Sequence, residues 1–164
     1  MDGMVMLEVV PSSDPRAQQA LRGFFDTVSA IFYGRRLSES ELTRSMADHL
    51  SPDIDPPAGL YLVAHDDGRV LGGAGLRWLA TEGTTMGEVK HLHVTTAARG
   101  QGIGERLMRD LEARAVEHGC TAMRLDTRSD LLASRRLYDR LGYVEVPAYN
   151  DNPDATNWYE KPLS

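Results

Sequence analysis

One cysteine, no long apolar run and no excess of basic residues mark this chain by what it lacks. Cys120 is the only thiol in 164 residues, so no internal disulfide can form and a reducing, cytoplasmic location is expected. It falls just past the end of an expected helix, where the dipole disfavours a thiolate, so its expected role is structural. No apolar stretch approaches the ~20 residues of a membrane span, and Asp2 and Glu8 flank too few apolar residues for a secretory signal. No membrane partner is therefore expected. A net charge of −6 argues against a nucleic-acid partner, because a phosphate backbone is repelled on average. A Walker loop is missing too, since Gly104 is followed by Glu105 and Arg106 rather than by Lys and Ser or Thr.

The apolar fraction of 41% and charged fraction of 26% are those of an ordinary globular chain, and the length suits one domain over residues 1–164. No repeat or linker divides it. Met4 to Val10 reads as a strand, stopped by Pro11 and followed by a helix whose Leu21, Phe24, Phe25, Val28, Ile31 and Phe32 recur at helical spacing. Ser38 with Glu41 forms a capping box for a second helix carrying Leu42, Met46 and Leu50. Leu60–His65 and Val70–Leu79, joined by Asp66-Asp67-Gly68-Arg69, read as a hairpin, and a second turn within Thr81 to Met86 leads to a strand over Glu88–Val94. A helix over about Gln101 to His118 buries Ile103, Leu107, Leu111 and Ala115, and Gly119 ends it. A strand at Ala122–Asp126, a helix at Asp130–Leu141, a strand at Tyr143–Val146 and a last one at Trp158–Lys161 complete the chain.

The most informative segment is the Glu88–Val94 strand running into Arg99-Gly100-Gln101-Gly102-Ile103-Gly104 and then into a helix. Glycines let the backbone approach an anion, and the first helical N–H groups and the dipole both favour negative charge. A dinucleotide fingerprint fits poorly, because position 105 is Glu and the turn lies mid-chain. What fits is Arg-x-x-Gly-x-Gly after a strand, with Leu137-Tyr138-Asp139-Arg140-Leu141-Gly142-Tyr143 downstream. In these two motifs, and over roughly its C-terminal half, the chain resembles the GNAT superfamily of N-acetyltransferases. The resemblance implies a single α/β domain, ordered βααβββαβαβ(β), around a mixed, mostly antiparallel sheet flanked by helices.

It further implies an acetyl-CoA-dependent N-acyltransferase that moves an acetyl group to a primary amine of a small molecule, directly and within a ternary complex. Acetyl-CoA is the implied cosubstrate, held by Leu92, His93 and Val94 along the strand and by Arg99, Gly100, Gln101, Gly102, Ile103, Gly104 and Glu105 at the pyrophosphate. The N–H near Leu92 is the implied oxyanion donor. Arg135 or Arg136 is placed, on charge alone, to reach the adenosine phosphate. Glu88 stands where family members carry the amine's base, and Tyr138 where they carry the acid for the leaving thiolate. Each has a plainer reading, Glu88 as a solvated residue beside Lys90 and Tyr138 as a core aromatic.

The family's Asn-x-x-Ala is replaced here by Leu131 and Ser134, so that contact is not carried over. Tyr149, Asn150 and Trp158 are candidate acceptor contacts or, equally, residues closing the core edge. His91 and His93 invite a metal, but no third ligand has matching spacing and the family needs none, so packing or substrate contact is expected. A homodimer is left open. The competing function is a non-catalytic acyl-CoA-binding or regulatory module of the same fold.

Overall fold

The computed structural model describes residues 3–164, so Asp2 lies outside the described residues. Its order is β1 (Met6–Val10), α1 (Pro15–Tyr33), α2 (Glu39–His49), β2 (Gly59–Asp66), β3 (Arg69–Thr81), β4 (Thr84–Val94), a 3-10 turn (Thr96–Ala98), α3 (Ile103–Glu117), β5 (Ala122–Thr127), α4 (Leu132–Arg140), β6 (Val144–Val146) and β7 (Asn157–Pro162). This is the expected α/β order. The strands form one sheet, β1-β2-β3-β4-β5-β7-β6, in which β4–β5 is the only parallel pairing among the described residues.

Turn chemistry sets the strand ends. Asp67-Gly68 (φ 49° and 82°) and Glu82-Gly83 (φ 48° and 80°) each put two residues in the left-handed region, the turn whose twist matches its flanking strands. The second is tighter than the expected Thr81-to-Met86 turn, so β4 starts at Thr84, four residues before Glu88. At α2 the capping box is complete: the Glu41 amide donates to Ser38 Oγ at 3.2 Å and the Ser38 amide to Glu41 Oε1 at 2.9 Å. The last helix is shorter than expected. Asp130 is drawn into a two-bond pair with Arg128 (2.8 and 3.0 Å), and α4 begins at Leu132.

Each sheet face carries its own core. Leu21 and Phe25 of α1, Leu42 and Met46 of α2, and Tyr61 and Val63 of β2 pack on one side. On the other, Ile103, Leu107, Leu111 and Ala115 of α3 meet Leu137, Tyr138 and Leu141 around α4. Buried Glu112 of α3 is matched rather than left bare, accepting from the Tyr143 hydroxyl at 2.7 Å and from Lys161 Nζ at 3.1 Å. Two members of the α1 stripe depart from expectation. Ile31 and Phe32 are 40% and 49% exposed, because the end of α1 runs past the core and overhangs a cleft.

Leu107 is fully buried, so Leu107→Ala should destabilise by about 2–5 kcal/mol. Ser38→Ala, which removes one side of the capping box, should lose only about 1 kcal/mol. Urea denaturation midpoints of the two variants check this ranking.

Candidate active site

The site begins where the sheet stops pairing. β4 and β5 are bonded at Met86–Ala122, Gly87–Met123 and Glu88–Arg124, and beyond that their facing edges carry no ladder. A parted strand edge inside a sheet leaves N–H and C=O groups that a ligand can satisfy. The same stretch of β4 carries a bulge: Gly75 faces Lys90 but Gly73 faces His93, so β4 has one residue more than β3, and His91 absorbs it at φ 57°. Leu92 and Val94 pack on the α3 side. The His91 ring lies instead against Phe24 (5.0 Å) and Phe25 (5.1 Å) of α1.

A cleft of about 1000 Å³ follows the parted edges. At one end lies the glycine turn. Gly100 and Gly102 take φ 79° and 76° with open space beside them, and α3 makes its first internal bond only at Arg106 N to Gly102 O, 3.1 Å. The consecutive amides of residues 100–105 therefore find no acceptor among the described residues. That is a cradle for an anion at the positive end of a helix. The helix starts at Ile103 and not at Gln101, because Gly102 in its left-handed conformation acts as the N-cap. Gln101 turns its amide back to Ala97 O at 3.3 Å and does not line the cleft. Arg99, Ile103, Gly104 and Glu105 do line it, as do Leu92, His93 and Val94. Arg128, Arg136 and Arg140 add positive charge to the lining, whereas Arg135 donates to the Tyr159 hydroxyl at 3.2 Å and stays out.

At the middle and far end, carboxylates and cations alternate. Glu88 is 2% exposed: one oxygen accepts from the Tyr149 hydroxyl at 2.6 Å, and the other lies 3.5 Å from Arg77 Nε and 3.4 Å from Lys90 Nζ. It is thus not a solvated strand residue, and it stands behind the lining rather than in it. Asp126 of β5, 3.6 Å from Lys90 Nζ, does face the cleft and is held by Asn150 Nδ2 at 2.8 Å. Asn150 in turn accepts from Trp158 Nε1 at 2.9 Å. So Tyr149, Asn150 and Trp158 stand behind the wall, orienting Glu88 and Asp126. The parts of their loop that reach the cleft are Asn152, Asp154 and Ala155.

Tyr138 lines the cleft with a phenol that burial pushes well above its ordinary value, so it keeps its proton at neutral pH. Burial lowers His91 to about 3 and His93 to about 4, leaving both rings neutral. His91 Nε2 accepts from the Ser51 amide at 3.1 Å, which assigns the ring proton to Nδ1 and removes Nε2 as a metal ligand. Cys120 is buried, and burial raises its thiol. From the rim of the cleft, Phe32 reaches across to the Arg128 guanidinium, 4.9 Å from ring centre to carbon.

The profile of the acetyltransferase (GNAT) family matches residues 21–143. The chain belongs to this family. Among its GNAT-family relatives, an uncharacterised N-acetyltransferase of Schizosaccharomyces pombe is 33% identical over 60% of this chain and 60% of its own length. Human N-acetylaspartate synthetase is 32% identical over 71% of this chain but only 39% of that protein, so the match spans about two fifths to three fifths of these relatives. The PaiA N-acetyltransferase of Thermoplasma acidophilum, solved in complex with coenzyme A, superposes with a TM-score of 0.75 over 98% of this chain and 99% of that one. At 16% identity, that likeness shows the GNAT fold.

Three residues escaped the sequence reading: Asp126, Lys90 as a link between carboxylates, and Arg77. The only signal was an acidic residue on the strand after the glycine-turn helix, and nothing local says that β4 and β5 part beside it.

The histidines set a pH dependence. Their folded pKa values lie below the unfolded value near 6.5, so between about pH 6.5 and 4 the unfolded chain binds more protons and stability falls with falling pH. His91 alone should contribute roughly 1–2 kcal/mol of loss between pH 7 and pH 5. Urea melts of wild type and His91→Gln at both values read the difference, which the variant should reduce.

Proposed function

We propose that this protein is an acetyl-CoA-dependent N-acetyltransferase acting on the primary amine of a small molecule by direct transfer. The observation that carries the reading is the continuity of three features along one cleft: a run of unpaired amides at a helix start, a parted strand edge, and the Asp126 carboxylate with the Tyr138 phenol facing the same space. They match, in order, a diphosphate, an amide-bearing arm and a reacting thioester. Acetyl-CoA, when bound, supplies the activated acyl carbon and a thiolate leaving group.

The residues 100–105 amides and Arg99 hold the diphosphate, and the free edge of β4 pairs with the arm. A fixed amide of that edge, Leu92 by the resemblance, points at the carbonyl oxygen as charge develops there. The amine nitrogen attacks the carbonyl carbon, the carbon–sulfur bond breaks, and the amine gives its proton to Asp126, directly or through one water. Glu88, joined to Asp126 through the Lys90 ammonium, is the second carboxylate that can share that proton. Tyr138 gives its own proton to the sulfur and regains one from solvent as the products leave, while Asp126 releases the amine's proton to solvent. Because a thiol has a pKa of about 8.5, protonating the sulfur helps modestly.

Acetyl-CoA should raise the melting temperature of wild type, and Gly102→Glu, which puts bulk and charge into the anion cradle, should abolish the shift. An unshifted wild type counts against the reading. In an amine-library screen for CoA release, Asp126→Asn should lower kcat by about 10²-fold or more on any hit, with Tyr138→Phe milder. If Glu88→Gln loses turnover while Asp126→Asn keeps it, the proton goes to Glu88. Acetyl-CoA binding with no CoA release for any amine would favour the non-catalytic module instead.

A further inference from the structure

Among the described residues, the Arg77 and Lys90 side chains touch carboxylates without closing a hydrogen bond. Arg77 reaches Glu88 at 3.5 Å and Asp53 at 3.7 Å, and Lys90 reaches Glu88 at 3.4 Å and Asp126 at 3.6 Å, all ion contacts beyond ordinary hydrogen-bond length. Other guanidiniums settle into close contact with a carboxylate, as in Arg114–Asp110 at 2.6 Å and Arg128–Asp130 at 2.8 Å, whereas Arg124, which does not line the cleft, shares the looser geometry at 3.6 Å from Glu160. Arg77 Nε, sealed from solvent, faces Glu88, and the 30% of the side chain that stays exposed is what the cleft can reach.

This part of the cleft therefore presents a guanidinium and an ammonium whose N–H groups are not all taken by the carboxylates beside them, and a carboxylate is the group whose two oxygens fit both together. Glu88 cannot serve, since it stands behind the two cations with one oxygen taken by Tyr149. Its charge holds Arg77 and Lys90 in place while their remaining N–H groups stay free. Beside them Asp126 offers a negative oxygen to the cleft. Positive and negative groups side by side match a ligand that carries both charges.

We propose that the acceptor is an amino acid, its carboxylate held by Arg77 and Lys90 and its amino group placed against Asp126. The inference rests on the acetyl-transfer reading above and deepens it. A bare amine offers no acceptor to the remaining N–H groups of the two cations.

The test is a comparison of L-amino acids with their own carboxamides, which keep the amine and remove the negative charge. The wild type should turn over at least one amino acid with kcat/KM about tenfold or more above that of its amide. Arg77→Gln and Lys90→Met should bring the ratio toward one, chiefly through KM for the amino acid, and Arg77→Lys should restore part of it. Melting temperatures show whether each variant is folded, and Lys90→Met stands in if Arg77→Gln is not. Calorimetry on the CoA-loaded protein, with a set of N-acetyl amino acids and their amides as probes, reads the site without chemistry. Tighter binding of the acids with no turnover of any amine sinks the acetyl-transfer reading and supports the carboxylate site. Amides turned over as well as acids, or equal or absent heats for the two probe sets, overturn the inference alone.

Discussion

The rest of the structure is arranged around a break in one backbone ladder. β4 and β5 share three residue pairs and then part, beside the bulge at His91, a feature that bends the strand carrying it. Inside a sheet this is unfavourable, since every freed N–H and C=O needs a new partner. The surrounding pieces make the gap tolerable. α1 and α2 cover one side with a core of their own, α3 and α4 cover the other, and the β5–β7–β6 pairing continues the sheet beyond it. A domain that kept the β4–β5 ladder whole would be better bonded and would have no cleft.

Charge organises the gap as strongly as backbone does. Two carboxylates, Glu88 and Asp126, are drawn into nearly dry surroundings and kept there by Lys90, Arg77, Tyr149 and Asn150. Buried charges of this kind contribute little net stability compared with a well-packed apolar core, so their presence points to use rather than to folding. The unpaired amides of residues 100–105 show the same economy of position. Neutral dipoles at a helix start can hold an anion as cations do elsewhere, without long side chains to immobilise.

Local signals foretold what local chemistry controls. The Asp67-Gly68 hairpin, the Ser38–Glu41 cap, the α3 stripe from Ile103 to Ala115 and the glycine turn after β4 all follow from neighbours in the chain. Boundaries slipped where a single residue chose an unusual conformation. Glu82, in the left-handed region without being glycine, tightened a hairpin, and Gly102 capped α3 two residues late. The division of labour in the active site was less legible. Glu88 and Tyr138 are visible through the resemblance, but whether Glu88 faces the cleft depends on Arg77 of β3 and Tyr149 of the C-terminal loop. The same holds for Tyr149, Asn150 and Trp158, which share one chain segment yet act through Glu88 and Asp126 rather than on the cleft itself. Asp126 had no motif to announce it. Its place is set by sheet order, which no window of sequence contains.

Cys120 sits just after α3, with its amide bonded to Ala115 O at 2.9 Å and its side chain out of the solvent. The fold thereby sequesters the one sulfur atom in the sequence capable of competing for an acyl group or of trapping a freed thiol as a mixed disulfide. No other cysteine stands in the sequence, so a thiol-bearing ligand meets no exposed sulfhydryl with which to form a mixed disulfide.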